Sequence, residues 1–203
     1  LVGRVLLDEG PTPVVVRDGV IHDASAFAPT VSDLLERDDL EEIRGRALCD
    51  VTALNFEGQP RLLAPVDLQC IKAAGVTFAV SAIERVIEER ARGDSARAAE
   101  VRGDLEARVG AGIRSVVPGT EEAARLKAAL IDAGMWSQYL EVAIGPDAEV
   151  FTKAPVLSAV GWGAEIGVRS DSDWNNPEPE IVVIVDRTGR IRGATLGNDV
   201  NLR

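Results

Sequence analysis

A strand that begins with two acidic residues is the feature that most constrains this chain. Glu178-Pro179-Glu180 runs directly into the apolar segment Ile181-Val182-Val183-Ile184-Val185. Because side chains alternate between the faces of a strand, Glu178 and Glu180 share a face with the apolar side chains of Val182 and Ile184. Two carboxylates on one such face repel each other, and each is costly to desolvate unless a proton or a cation compensates its charge.

The chain after this strand predicts a β-hairpin that brings in a third acid. Asp186-Arg187-Thr188-Gly189 has the composition of a turn, and residues 190–198 alternate like a returning strand. If residues 185 and 190 flank the turn, Glu178 pairs near residue 197, and Asp199 lies within a residue or two of that pair. Three carboxylates would then meet at the open end of the hairpin.

Two interpretations of these acids remain open from the residues alone. Acidic side chains are common on the solvated rims of hairpins. Alternatively, three hard oxygen ligands form a site for Mg²⁺, with Mn²⁺ or Ca²⁺ as alternatives, whereas zinc prefers nitrogen and sulfur.

Composition excludes several classes of function. With 33 acidic against 22 basic residues the net charge is −11, which argues against nucleic acid or an anionic membrane as a partner. The two cysteines lack the spacing of a zinc site or a disulfide framework, and the single histidine, His22, supports no Ser/His or Cys/His machinery. No apolar run reaches the length of a membrane span, so we expect a cytoplasmic protein.

The pattern along the chain predicts an α+β protein with two domains. Residues 1–65 read as a small N-terminal α/β unit, with a hairpin at Asp18-Gly19 and a helix capped by Thr30 or Ser32. Prolines bracket a predicted linker over residues 59–66. We therefore predict a catalytic domain over residues 66–203, with a helical insertion over 84–134 that is rich in Ala, Arg and Glu.

Three motifs together resemble the fumarylacetoacetate hydrolase superfamily. They are the Glu-x-Glu that opens a strand, the later Asn198-Asp199-Val200-Asn201-Leu202-Arg203, and the upstream Phe151-Thr152-Lys153-Ala154-Pro155. The resemblance implies a mixed β-sheet, barrel-like catalytic fold. It also implies that Glu178, Glu180 and Asp199 hold a divalent cation, that Arg203 binds substrate, and that Lys153 lies near the substrate carboxylate.

A fourth segment distinguishes between branches of this superfamily. The hydrolase branch carries an aromatic residue, a His and a Glu at intervals of three, and here those positions hold Phe78, Ser81 and Glu84. A serine cannot replace imidazole as a base near neutral pH, which disfavours hydrolysis. The segment instead resembles the sugar-acid dehydratase branch, whose members convert 2-keto-3-deoxy pentonates of the xylonate or arabinonate type to 2-oxoglutarate semialdehyde. This resemblance implies Glu84 as the proton-transfer residue, with Phe78 and Ser81 near the substrate.

Two alternatives to a dehydratase stay open. One is a metal-dependent C–C hydrolase or decarboxylase acting on an acylpyruvate or oxaloacetate. The other is a non-catalytic fragment, because family members continue past the point where this chain stops, and we expect an open sheet edge and weak metal binding if nothing follows. The resemblance also implies a homodimer or homotetramer and a small 2-oxo acid as substrate.

Overall fold

The chain adopts an α+β fold, as predicted. A computed structural model describes the following residues: 1–54, 58, 60–75, 79–109, 116–147, 149–172 and 175–202. The chain divides into two compact units, Leu1–Cys70 with Ala154–Arg203, and Ile71–Lys153. The domain boundary at residues 65 and 66 stays a prediction.

The first unit contains a five-stranded sheet. Its strands are β1 (Val2–Leu7), β2 (Gly10–Arg17), β3 (Val20–Asp23), β4 (Arg46–Asp50) and β5 (Arg61–Leu62). They lie in the order β4-β3-β2-β1-β5, and every neighbouring pair is antiparallel. The predicted hairpin turn is present, because Asp18 and Gly19 both have positive φ, which a two-residue turn of this kind requires.

The prediction of a linker over residues 59–66 was wrong in one respect. Arg61 and Leu62 pair with Leu6 and Val5 of β1, so this segment supplies the fifth strand of the first sheet. A strand of two residues is too short to show periodicity in the sequence. The flanking prolines were therefore the stronger local signal, and they indicate a linker.

A short helix, α1 (Val31–Leu35), packs its buried residues against the first sheet. Thr30 is its N-cap, as the sequence predicted, and the Thr30 hydroxyl accepts a hydrogen bond from the amide of Asp33. Ser32, the alternative cap, instead donates its hydroxyl to the carboxylate of Asp67.

Asp67 is a buried carboxylate that ties α1 to the segment after β5. It is only 5% exposed, and it accepts four hydrogen bonds. The donors are the amides of Val31, Ser32 and Leu68 and the hydroxyl of Ser32. Burial alone would raise the pKa of Asp67, but these hydrogen bonds to its charged form lower it below its ordinary value.

The second unit is largely helical. Its helices are α2 (Ala79–Ala91), α3 (Ser95–Val109), α4 (Glu121–Asp132) and α5 (Gln138–Ile144). The first three make up the helical insertion predicted over residues 84–134, although α2 begins earlier, at Ala79. Thr120 caps α4, because its hydroxyl accepts a hydrogen bond from the amide of Ala123. α5 is capped by Ser137 and was not predicted, because its seven residues are too short to show a clear period.

The helices of the second unit share one apolar core. Its largest fully buried side chains are Ile87 of α2, Leu130 of α4, and Leu140 and Ile144 of α5. Two further strands, β6 (Ile71–Ala74) and β7 (Val150–Ala154), pair with each other. None of the helices in the described parts of the chain is both long enough and apolar enough to span a membrane.

The buried carboxylate of Asp67 gives a first prediction. Asp67→Ala would leave buried amide donors without acceptors, and we expect it to lower the free energy of unfolding by about 3 kcal/mol in urea denaturation. Asp8→Ala, in the exposed turn between β1 and β2, is the matched control and should cost less than about 0.5 kcal/mol. Equal costs for the two variants would contradict this account of Asp67.

Candidate metal centre

The predicted hairpin forms in the first unit. β9 (Pro179–Val185) and β10 (Ile191–Asn198) pair antiparallel, with Pro179 opposite Asn198. Beyond the last pair, the amide of Asp199 donates to the carbonyl of Glu178 at 2.9 Å. Two short strands flank this hairpin in the sequence. β8 (Asn175–Asn176) precedes it, β11 (Asn201–Leu202) follows it, and the two pair with each other.

Glu178 lies opposite Asp199, two residues beyond the predicted position at residue 197. One residue comes from the turn, which ends at Ile191 and not at residue 190, and one comes from a β-bulge. Val185 pairs with Ile191, but Ile184 pairs with Gly193, so Arg192 is an extra residue in β10. The shift carries through to the open end, where Glu180 lies opposite Gly197 and the backbone of Glu178 meets that of Asp199. A bulge of this kind has no signature in the alternation of a short strand, which is why the sequence placed the partner of Glu178 near residue 197 and not at Asp199.

The three predicted ligands converge. Carboxylate oxygens from Glu178, Glu180 and Asp199 all lie within 4.8 Å of one another. The side chains of Glu178 and Asp199 are half-buried, and that of Glu180 is exposed. Oxygen ligands of a six-coordinate Mg²⁺ at 2.0–2.1 Å lie about 3 to 4 Å apart, so small side-chain movements would let all three carboxylates bind one ion. The donor set is entirely hard oxygen, which fits Mg²⁺.

Two further residues fix the backbone beside these acids. The Asn198 side-chain carbonyl accepts from the amide of Glu178 at 2.9 Å. Gly197, opposite Glu180, approaches Val182 closely, and a Cβ added at Gly197 would lie 2.8 Å from Val182 Cγ2. Neither residue has a sequence signature for this role, and only the strand register identifies them.

The turn of the hairpin is held by a single buried carboxylate, that of Asp186. Asp186 accepts from the amide and hydroxyl of Thr188 and from the amide and Nε of Arg190. These hydrogen bonds, of which that from the Thr188 hydroxyl is the strongest influence, hold the pKa of Asp186 far below its usual range. The turn therefore has a fixed length, with Asp186 accepting at its centre.

An ion-pair cluster joins this turn to the segment after α1. Its members are Glu36, Asp38, Arg187, Arg190 and Arg192. Arg187 Nε lies 3.3 Å from Glu36, and Arg190 lies 3.3 Å from Asp38. Arg192 also donates to the carbonyl of Arg37. Exposed pairs of this kind are each worth at most about 1 kcal/mol, but several on one turn restrict its position together.

The other predicted site residues that are described lie in the second unit. Glu84 of α2 forms an ion pair with Arg102 of α3, and both side chains are partly exposed. Ser81 is exposed on α2, and Lys153 is exposed in β7. Phe78 and Arg203 lie outside the described residues. The structure thus brings together the three predicted metal ligands, while the catalytic and substrate-binding roles stay predictions.

Comparisons with known proteins identify sugar-acid dehydratases as relatives. No protein family model matches the chain. It is 49% identical over 55 residues to the 2-dehydro-3-deoxy-D-arabinonate dehydratase of Saccharolobus solfataricus, which covers 27% of this chain and 18% of that protein. It is 43% identical over 72 residues to the probable 2-keto-3-deoxyxylonate dehydratase of Haloferax volcanii, which covers 36% of this chain and 25% of that protein.

Solved structures of the same kind of enzyme share the fold. A 2-keto-3-deoxy-D-arabinonate dehydratase complexed with magnesium and 2,5-dioxopentanoate matches with a TM-score of 0.57 at 20% identity, over 98% of this chain and 54% of that one. An apo form matches with a TM-score of 0.55 at 21% identity, over 98% and 55%. This chain therefore spans about half the length of these proteins. The predicted resemblance to sugar-acid dehydratases is confirmed, in sequence over part of the chain and in fold over nearly all of it.

The lowered pKa of Asp186 predicts that the chain loses stability in acid. Because the pKa of Asp186 is lower in the folded than in the unfolded chain, its contribution is present above the unfolded value of about 3.9 and is lost as pH falls through the folded pKa. We expect Asp186→Asn to reduce the fall in urea stability between pH 5 and pH 3. Asp8→Asn, which removes an exposed carboxylate in the turn between β1 and β2, is the control. An unchanged slope in Asp186→Asn would contradict the assignment.

Proposed function

We propose that this chain, a relative of the 2-keto-3-deoxy sugar acid dehydratases, acts as a magnesium-dependent hydro-lyase. Its substrate would be a 2-keto-3-deoxy pentonate of the xylonate or arabinonate type, and its product 2-oxoglutarate semialdehyde. The observation that carries the proposal is the convergence of the carboxylates of Glu178, Glu180 and Asp199 within 4.8 Å at the end of one hairpin.

In this proposal the three carboxylates hold the cation. Their three negative charges exceed the charge of a single Mg²⁺, so the site tolerates an anionic 2-oxo acid only if substrate binds directly to the ion or to nearby cations. A bound dication would supply Lewis acidity toward the ketone oxygen of a 2-oxo acid, which makes the proton at C3 more acidic. Mg²⁺ suits the site better than Ca²⁺, since Ca²⁺ takes six to eight oxygen ligands and Mg²⁺ is commonly held by few carboxylates with waters.

Side chains of this protein would move the protons. Dehydration removes a proton from C3 and expels the C4 hydroxyl, which leaves as water after it is protonated. A proton would then move from C5 to C3, and the resulting enol would become the C5 aldehyde by losing its hydroxyl proton and gaining a proton at C4. We assign the proton transfers to Glu84, whose carboxylate accepts from the Arg102 guanidinium. Lys153 and Arg203 would orient the substrate carboxylate and hydroxyls, and Phe78 and Ser81 would contact the substrate.

The proposal extends to the setting of the enzyme. The net charge of −11 repels an anionic substrate. A small 2-oxo acid would therefore bind only beside a bound cation or a local basic group. We propose a cytoplasmic location from the composition of the chain, and a homodimer or homotetramer from the resemblance.

The experiment is a coupled assay for 2-oxoglutarate semialdehyde with a 2-keto-3-deoxy pentonate and Mg²⁺. We expect turnover that EDTA abolishes and Mg²⁺ restores. Glu180→Gln should lower kcat/KM at least a hundredfold, because it removes one charged ligand, while Glu165→Gln in the same unit should leave kcat/KM unchanged. Release of pyruvate from an acylpyruvate or oxaloacetate, without semialdehyde formation, would contradict the proposal in favour of a hydrolase or decarboxylase.

The close approach at Gly197 gives a second prediction for the same site. Gly197→Ala places a methyl group against the stiff side chain of Val182, so β10 must shift beside Glu180. We expect Mg²⁺ affinity in calorimetric titration to fall about tenfold, which corresponds to about 1.4 kcal/mol. Gly193→Ala is the matched control, because no atom lies within 4 Å of a Cβ built there. Equal affinities for the two variants would contradict a role for this contact.

A further inference from the structure

We propose that Arg192 is a positioning residue that sets the register of the hairpin and thereby places Asp199 on the same face as Glu178 and Glu180. Its consequence for metal binding rests on the proposed function. The register itself is a property of the chain that is measurable without any metal.

The faces of the strands follow from the bulge. In the observed register, Glu180 pairs with Gly197 and Val182 with Thr195, so odd-numbered residues of β10 share a face with even-numbered residues of β9. Asp199 therefore lies on the face of the two glutamates. If Arg192 paired opposite Ile184 in a regular ladder, with no bulge, Val182 would pair with Ala194 and every later side chain of β10 would change face. Asp199 would then lie on the face opposite Glu178.

The apolar pattern of β10 favours the other register. Leu196 is 83% exposed on the outer face, where it lies opposite Ile181, which is 76% exposed. In the regular register Leu196 would instead share a face with the half-buried side chains of Val182 and Ile184. Moving a leucine side chain from water to such a face is favourable, so an opposing interaction must hold the bulge in place.

Arg192 provides that opposing interaction. Its side chain is only 15% exposed, it donates to the carbonyl of Arg37, and it lies 4.0 Å from the carboxylate of Asp38. The turn cannot absorb the extra residue, because Asp186 fixes it through hydrogen bonds to Thr188 and Arg190. The bulge therefore forms at Arg192, because contacts with Arg37 and Asp38, outside the two strands, hold its side chain.

Disulfide cross-linking reports the register directly. In a background with Cys49 and Cys70 replaced by serine, Ile181→Cys with Leu196→Cys should form a disulfide, because these residues are opposite each other. Ile181→Cys with Thr195→Cys should cross-link only in the regular register. The ratio of the two rates under mild oxidation, compared between Arg192 variants that carry the same cysteine pairs, reports a change in register.

Substitution of Arg192 should disturb the register, whereas deletion of Arg192 should preserve it. Arg192→Ala removes the anchor but keeps the extra residue, so the ratio of 181–196 to 181–195 cross-linking should fall at least threefold and Mn²⁺ affinity at least tenfold. Deletion of Arg192 removes the extra residue, which leaves Ile184 opposite Gly193 in a regular ladder and preserves both the ratio and the affinity. A purely structural role would make the deletion at least as damaging as the substitution. Arg187→Ala, which breaks the pair with Glu36, is the control and should change neither.

Each outcome decides the proposal. A wild-type ratio in Arg192→Ala, or 181–195 cross-linking in the deletion variant, would overturn it. If Arg192→Ala does not fold, the deletion variant alone decides by the same ratio. Failure of wild-type protein to bind Mn²⁺, together with the predicted cross-linking, would remove the proposed function and leave the register inference standing.

Discussion

Electrostatic repulsion among three carboxylates is the interaction on which this structure depends. Glu178, Glu180 and Asp199 approach within 4.8 Å. Two unit charges 4 Å apart repel by about 1 kcal/mol in water and by about 4 kcal/mol at the effective dielectric of a protein surface. A hairpin that holds three such groups together gains stability when its backbone is fixed elsewhere or when a cation neutralises them. Residues of this chain fix the backbone of the hairpin, and the three carboxylates themselves would bind a cation.

The backbone is fixed at both ends of the hairpin. At the turn, the buried carboxylate of Asp186 binds four donors, and the ion-pair cluster attaches the turn to the segment after α1. At the open end, Asn198 and Asp199 are hydrogen-bonded to the backbone of Glu178. The acids themselves are thus held by groups that do not titrate near neutral pH, which is what preorganisation of a metal site requires.

The sequence predicted the chemistry of this site better than its geometry. The Glu-x-Glu spacing and the strand alternation were enough to place three acids at one end of a hairpin, because period-2 alternation and turn composition are local signals. The bulge at Arg192 was not predictable, since it depends on contacts with Arg37 and Asp38, which are more than 150 residues away in the chain. For the same reason the role of Asp67, and the pairing of Arg61 with β1, appeared only in the folded structure.

Titration with Mn²⁺, followed by electron paramagnetic resonance, tests the central claim most directly. The chain should bind one Mn²⁺ that Mg²⁺ displaces, and a variant with Glu178→Gln, Glu180→Gln and Asp199→Asn should bind none at that site. The same variant should be more stable than wild type in the absence of metal, because the repulsion is gone. Equal Mn²⁺ binding by the two proteins, or a variant that is less stable without metal, would contradict the account.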